Sequence, residues 1–178
     1  VVVFGFVAIW RTLAYWVPGF SGSLFNIAPL TAFALFAGFS LTNRKLAAVL
    51  PVALVFLSDL LLLAFHDYAL FYPGIAGVYV AYILIALLPG RWLANRGLGL
   101  GRGAVAILGS SLLFFVISNL GVWATGTLYP TTGAGLLLTF EMALPFLERS
   151  LIGDAVFGAV FLSAYAWAYA SKLKAQRV

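Results

Sequence analysis

Of 178 residues, 64% are hydrophobic and only 8% are charged, and the mean hydropathy is +1.10. A soluble domain carries roughly 25% charged residues, so an ordinary soluble fold is excluded; one membrane domain, 1–178, is the natural unit. A net charge of +5 raises nucleic acid as a partner, but the basic residues sit at the ends of apolar runs rather than on a basic face, and the absence of Cys excludes disulfides, thiolate metal sites and a cysteine nucleophile.

Eight of the ten basic residues form three clusters, each following a long apolar run: Arg44-Lys45, Arg91-Arg96-Arg102 and Lys172-Lys174-Arg177. The acids, Asp59, Asp67, Glu141, Glu148 and Asp154, occupy the other half of the pattern. Cytoplasmic loops of membrane proteins retain Lys and Arg, whereas acids contribute little to orientation. The pattern predicts a bacterial inner-membrane protein with both termini in the cytoplasm.

A membrane-crossing helix needs about 20 mostly apolar residues. In chain order, the expected spans are about 1–17, 27–42, 46–65, 73–89, 103–125 and 152–170. The first lacks the basic n-region and small-residue cleavage site of a signal peptide. It ends at Pro18-Gly19 and Ser21-Gly22-Ser23. The second is short. Pro73 is well placed to start the fourth. A Gly-rich linker, 90–103, precedes the fifth. Its order of glycines lacks the G-x-G-x-x-G pattern and a Walker lysine. Segment 133–147 is apolar but holds Glu141 and Pro145. Counting it as a span gives seven helices and puts the basic tail outside. The expectation is therefore an all-α bundle of six transmembrane helices, with 133–147 as an outer interfacial or re-entrant helix. Small residues four apart predict helix contacts at Ala34/Gly38, Gly77/Ala81 and Ala155/Ala159/Ser163.

Ionisable groups inside a bilayer cost roughly 2.5–3.5 kcal/mol on insertion scales and usually have partners. Arg11, Asp59 and Asn119 are expected in the outer halves of helices one, three and five. The expected arrangement is a buried Arg11–Asp59 ion pair, with Ser58, Ser118 and Asn119 completing its hydrogen bonds. Such a set serves as a packing lock between helices, as the polar floor of a ligand pocket, or as an ion or proton relay. His66 is the only histidine. It stands beside Asp67 as an interfacial residue, or supplies one axial ligand to a metal held in a macrocycle; alone it cannot build a zinc site or a bis-His haem. Tyr72, Trp123 and Tyr129 belong to an aromatic-rich outer side. Membrane interfaces attract such residues whatever the function. Three Gly- or Pro-containing outer loops, 18–26, 66–73 and 125–151, are also placed to cover a largely apolar pocket. The candidate ligand-binding residues are Arg11, Asn26, Asp59, His66, Tyr72, Asn119, Trp123 and Tyr129. No catalytic motif is present, and no cofactor is specified.

On the segments Phe25-Asn26-Ile27-Ala28-Pro29, Ser58-Asp59, His66, Ser118-Asn119-Leu120-Gly121-Val122-Trp123, Leu128-Tyr129-Pro130 and Gly153-Asp154, the chain resembles an uncharacterised family of small bacterial inner-membrane proteins. That resemblance implies no known reaction. More distantly, its size, six spans and outer loops resemble the substrate-binding S components of energy-coupling-factor vitamin transporters. This resemblance implies a ligand enclosed by outer loops and outer helix halves. The solitary vitamin B12 importers of that group use a cysteine near the cobalt, and this chain has none.

Two functional expectations follow. One is binding or uptake of a small apolar or amphipathic molecule. The other is a non-catalytic subunit or assembly factor of a larger membrane complex, joined through the Ala155/Ala159/Ser163 stripe.

Overall fold

A computed structural model describes residues 3, 5–10, 27–66 and 69–175, without the side chains of His66 and Lys174. Among the described residues the protein is all-helical. Residues 5–10 are helical, followed by α1 (Leu30–Ser40), α2 (Arg44–His66), α3 (Ile75–Ile85), a π-helical turn (Ala86–Gly90), α4 (Arg91–Arg96), α5 (Leu100–Thr125) and α6 (Gly133–Ala175).

Four helical runs are long and apolar enough to cross a membrane: Arg44–Phe65, Ile75–Arg96, Leu100–Thr125 and Gly133–Leu173. The expected first span falls mostly outside the described residues. The expected second span, 27–42, is helical over only part of its length. Its helix has 11 residues, Leu30–Ser40, or about 16 Å at 1.5 Å per residue, half the roughly 30 Å of bilayer hydrocarbon. Pro29 marks its entry and Leu41 leaves it in extended backbone. Nearly every residue of α1 from Leu30 to Gly38 is buried. A helix that is apolar and enclosed all round sits inside a bundle rather than on its rim.

The fourth expected span and its linker are corrected. The chain stays helical through Pro89-Gly90 to Arg96, and α5 starts at Leu100 rather than 103. Proline lacks an amide donor, and its ring crowds the carbonyl four residues earlier. Opening the backbone into a π turn accommodates Pro89 without ending the helix. The bulge lies where α1 crosses. A Cβ on Gly38 would overlap the Ala86 carbonyl, and one on Gly90 would lie 2.8 Å from Gly38 Cα. The predicted Gly77 contact is present as well, since its Cβ would approach Gly121 Cα to 2.8 Å. There α3 and α5 touch backbone to backbone.

Segments 133–147 and 152–170, expected as separate pieces, form one 43-residue helix, α6. Its lower part runs antiparallel to α5. Ser111 faces Asp154, Ile107 faces Gly158 and Gly103 faces Leu162. Each step of four residues on one helix is matched by four on the other. The register then breaks, because Phe115 meets Phe140 with ring centroids 5.5 Å apart. Four residues separate Ser111 from Phe115, but fourteen separate Phe140 from Asp154. Straight antiparallel helices cannot satisfy both contacts, so α6 bends between them. Pro145 lies in that interval and is the identifiable cause.

The inward face of α6 is aromatic. Phe157 packs edge-on to Trp10 at 5.0 Å, Phe161 meets Phe36 at 5.9 Å, and Tyr165 meets Phe39 at 4.9 Å. Of the two coverings expected for the small-residue stripe, an internal helix is not the one seen: Ala155, Ala159 and Ser163 are exposed. Aromatic rings offer more surface to an interior than Ala does, and they take the core-facing side of the helix.

Short connections gather the basic clusters at one end. Arg44 opens α2 directly after the α1–α2 turn, and the α4–α5 turn follows Arg96. Arg91 ties the start of α4 to the α1–α2 turn, donating from Nη1 to the Leu41 carbonyl at 3.2 Å. The end of α6 reaches the same side, because Leu162 is already level with Gly103. The 69–74 loop and the α5–α6 loop lie at the opposite end, where Gly74 packs on Val122.

Candidate functional site

The polar centre of the bundle is Asp154 on α6, which is 3% exposed. Ser111 of α5 donates from Oγ to Asp154 Oδ2 at 2.7 Å. The same hydroxyl lies 3.1 Å from the Ile107 carbonyl. It has one proton, and the carboxyl contact is the shorter. The Thr31 side chain of α1 approaches the same carboxyl group. Three helices therefore converge on one side chain.

Local sequence explains the convergence. Gly153 precedes the acid, and a Cβ there would lie 3.1 Å from Ile27 Cα and 3.4 Å from the Ala28 amide nitrogen. Its lack of a side chain lets α6 touch the segment entering α1. Trp10 also holds that segment, donating from Nε1 to the Ile27 carbonyl at 2.7 Å. Thr31 then falls in the first turn of α1, so the positive end of a buried helix dipole faces Asp154. Ser111 lies eleven residues into α5, about 16 Å from the basic end. That depth is near the middle of a hydrocarbon layer of about 30 Å.

A second buried carboxyl group, Asp59 on α2, is 0% exposed beside the equally enclosed Ser58. Asp59 stands fifteen residues after Arg44, farther from the basic end than Asp154. Ser118 and Asn119, expected to complete its hydrogen bonds from α5, bond within their own helix. Ser58 donates to the Val55 carbonyl, Ser118 to the Phe114 carbonyl and Asn119 Nδ2 to the Phe115 carbonyl, all within their own helices. α2 packs on α1, α3 and the π turn, and among the described residues it makes no packing contact with α5. Arg11 and Asn26 lie outside the described residues, as does the side chain of His66.

Tyr72, Trp123 and Tyr129 are partly buried and lie together at the end opposite the basic clusters. Trp123 donates from Nε1 to the Thr132 carbonyl at 3.2 Å, and the Tyr72 carbonyl accepts from the Ile75 amide at 3.2 Å. These bonds shape loops. No group of three His, Cys, Asp or Glu suited to a metal ion occurs among the described residues.

Sequence reasoning did not include Asp154, Ser111 and Thr31 among the candidate ligand-binding residues. The available signal was an acid within an apolar helix, which warrants a functional hypothesis in a membrane. Grouping Asp154 with the acids of the outer side hid its depth.

Residues 1–176 match the family of unknown function DUF6580, and the chain belongs to it. No curated protein and no solved structure matches the chain.

Proposed function

We propose that this membrane protein binds, and takes part in the uptake of, a small amphipathic molecule whose polar group is received at Asp154. The observation that carries this reading is the convergence of Asp154, Ser111 and Thr31 at the start of a half-length helix inside the bundle. Short or interrupted membrane helices that end at mid-depth are a recurring way to present polar groups to a transported solute. A carboxyl group with two hydroxyls offers acceptors for an amine or hydroxyl on the solute, while Phe157 and Phe161 supply apolar surface nearby. The proposal includes six crossings in a bacterial inner membrane, with the basic end in the cytoplasm. The N-terminal segment and α1 would supply the first two.

Native mass spectrometry of gently extracted protein tests the reading. The expected result is a small molecule retained by the wild type and lost from Asp154→Leu. A wild type that carries none from its native membrane, with uptake and growth unaffected by Asp154→Leu, overturns it.

One observation favours a second reading, a non-catalytic subunit or assembly factor. The Ala155/Ala159/Ser163 stripe faces outward, as a surface for a partner helix would. Under that reading the native complex is larger than a monomer, and Ala159→Leu reduces its size on a native gel.

A further inference from the structure

A groove of about 1040 Å³ runs between the start of α5 and the end of α6. Its walls include Ala104, Ile107, Ala155, Ala159 and Leu162, and Gly99 lines it at the basic end. The volume is at the upper limit of ligand pockets, about 300–1,000 Å³. Because Ala155 and Ala159 are exposed, the groove opens sideways from the bundle, toward lipid.

The chemistry beside this end is cationic. The Arg102 guanidinium lies across Gly99, with Nη2 3.0 Å and Cζ 3.4 Å from where a Cβ on that glycine would stand. Arg96 precedes the same turn, and Lys172 lies one turn beyond the groove-lining Tyr169. Among the described residues no carboxylate lies at this end, because Asp59 and Asp154 are buried deeper and Glu141 and Glu148 belong to the upper part of α6. The first amide groups of α5 also point here, and an α-helix leaves these donors without internal partners. Cations at the end of a lateral apolar groove match a molecule with a long apolar body and an anionic head. Basic pockets between membrane helices on the cytoplasmic side bind lipids of this kind.

We propose that this groove is a binding site for an anionic phospholipid, with an acyl chain lying along Ala155 and Ala159 and the phosphate held by Arg102. The site is separate from Asp154, which faces the interior, and does not depend on the solute-binding reading. Orientation alone requires basic residues at this end, but it does not require an apolar groove leading to them.

Delipidated full-length protein, offered equal amounts of phosphatidylglycerol and phosphatidylcholine with matched acyl chains, gives the test, read as retained lipid by native mass spectrometry. Phosphatidylglycerol should be retained in preference. Arg102→Gln should reduce that preference about fivefold, the weight of one basic side chain at an anionic surface. Arg102→Lys should restore most of it. Ala159→Phe should reduce retention of both lipids, and excess inorganic phosphate should leave retention unchanged. Equal retention of the two lipids by the wild type overturns the proposal, as does an unchanged preference in Arg102→Gln. A helix of a second copy or partner seated in the groove, released by Ala159→Phe with no change in lipid, also overturns it. If Ala159→Phe does not fold, the Arg102 pair decides alone.

Discussion

An aspartate in a bilayer core costs roughly 2.5–3.5 kcal/mol on insertion scales, whereas a hydrogen bond between membrane helices contributes on average about 0.6 and at most about 1.7 kcal/mol. At that average Ser111 and Thr31 together return about 1.2 kcal/mol, less than Asp154 costs. The magnitudes predict that Asp154→Leu leaves thermal stability in detergent unchanged or raised while abolishing solute retention. Ser111 has the Ile107 carbonyl within 3.1 Å as an alternative acceptor, so the substitution does not strand its proton. A pure packing lock predicts the opposite, a loss of stability with no loss of binding. Ser111→Ala should lower stability by about 0.6 kcal/mol, read from the unfolding midpoint in SDS. At this scale the sequence was legible in part. Asp59 is buried as its apolar surroundings imply, but Ser118 and Asn119 bond to their own helices. Back-bonding to the preceding turn is open to any Ser in a helix and to this Asn, and residue type does not distinguish it from bonding across helices.

Helix contacts are governed by how closely backbones approach. Gly77 and Gly121 touch through Cα atoms, so Gly77→Ala should destabilise by about 1–3 kcal/mol through overpacking. Gly109 is the control. It lies inside α5 with no atom within 4 Å of an added Cβ, so Gly109→Ala should stabilise by up to about 1 kcal/mol through helix propensity. Thermal unfolding in one detergent compares the two, and equal shifts would refute the close approach. Gly38 and Gly77 were legible as contacts, whereas the spacing of Ala155, Ala159 and Ser163 left open whether a partner helix or an internal helix covers them. Lipid and protein interior are similarly apolar, so small-residue spacing marks a possible seam without saying which side is filled. The bend in α6 was legible only as an anomaly, the acid and proline in 133–147. Spin labels at the exposed Leu137 and Val156 would read it, because a straight helix separates their backbones by about 28 Å. The wild-type distance should be shorter, and Pro145→Ala should lengthen it.

For the whole molecule, the test is whether the basic end faces one compartment. Six crossings remain a proposal, but continuity of α6 bears on the alternative of seven. Two crossings within 133–170 would need a reversal between them, and the helix runs unbroken from Gly133 to Ala175. The expected charge pattern and the observed connections agree because short loops force consecutive helices to alternate direction. Depth was less legible, since a buried half-helix and a short span have the same hydropathy. The absence of Cys permits single-site labelling without first removing native thiols. Thr42, Asn95, Thr127 and Ala175 are exposed and lie in or beside the turns that close the bundle. Cysteines at Thr42, Asn95 and Ala175 should react with an impermeant maleimide only from the cytoplasmic face, and one at Thr127 only from the other. Labelling of Ala175 together with Thr127 would mean that α6 does not cross. Labelling of Thr42 from the face opposite Asn95 would separate the α1–α2 turn from α4, which Arg91 joins by its bond to Leu41, and would overturn the shared basic end on which the orientation and the lipid site both rest.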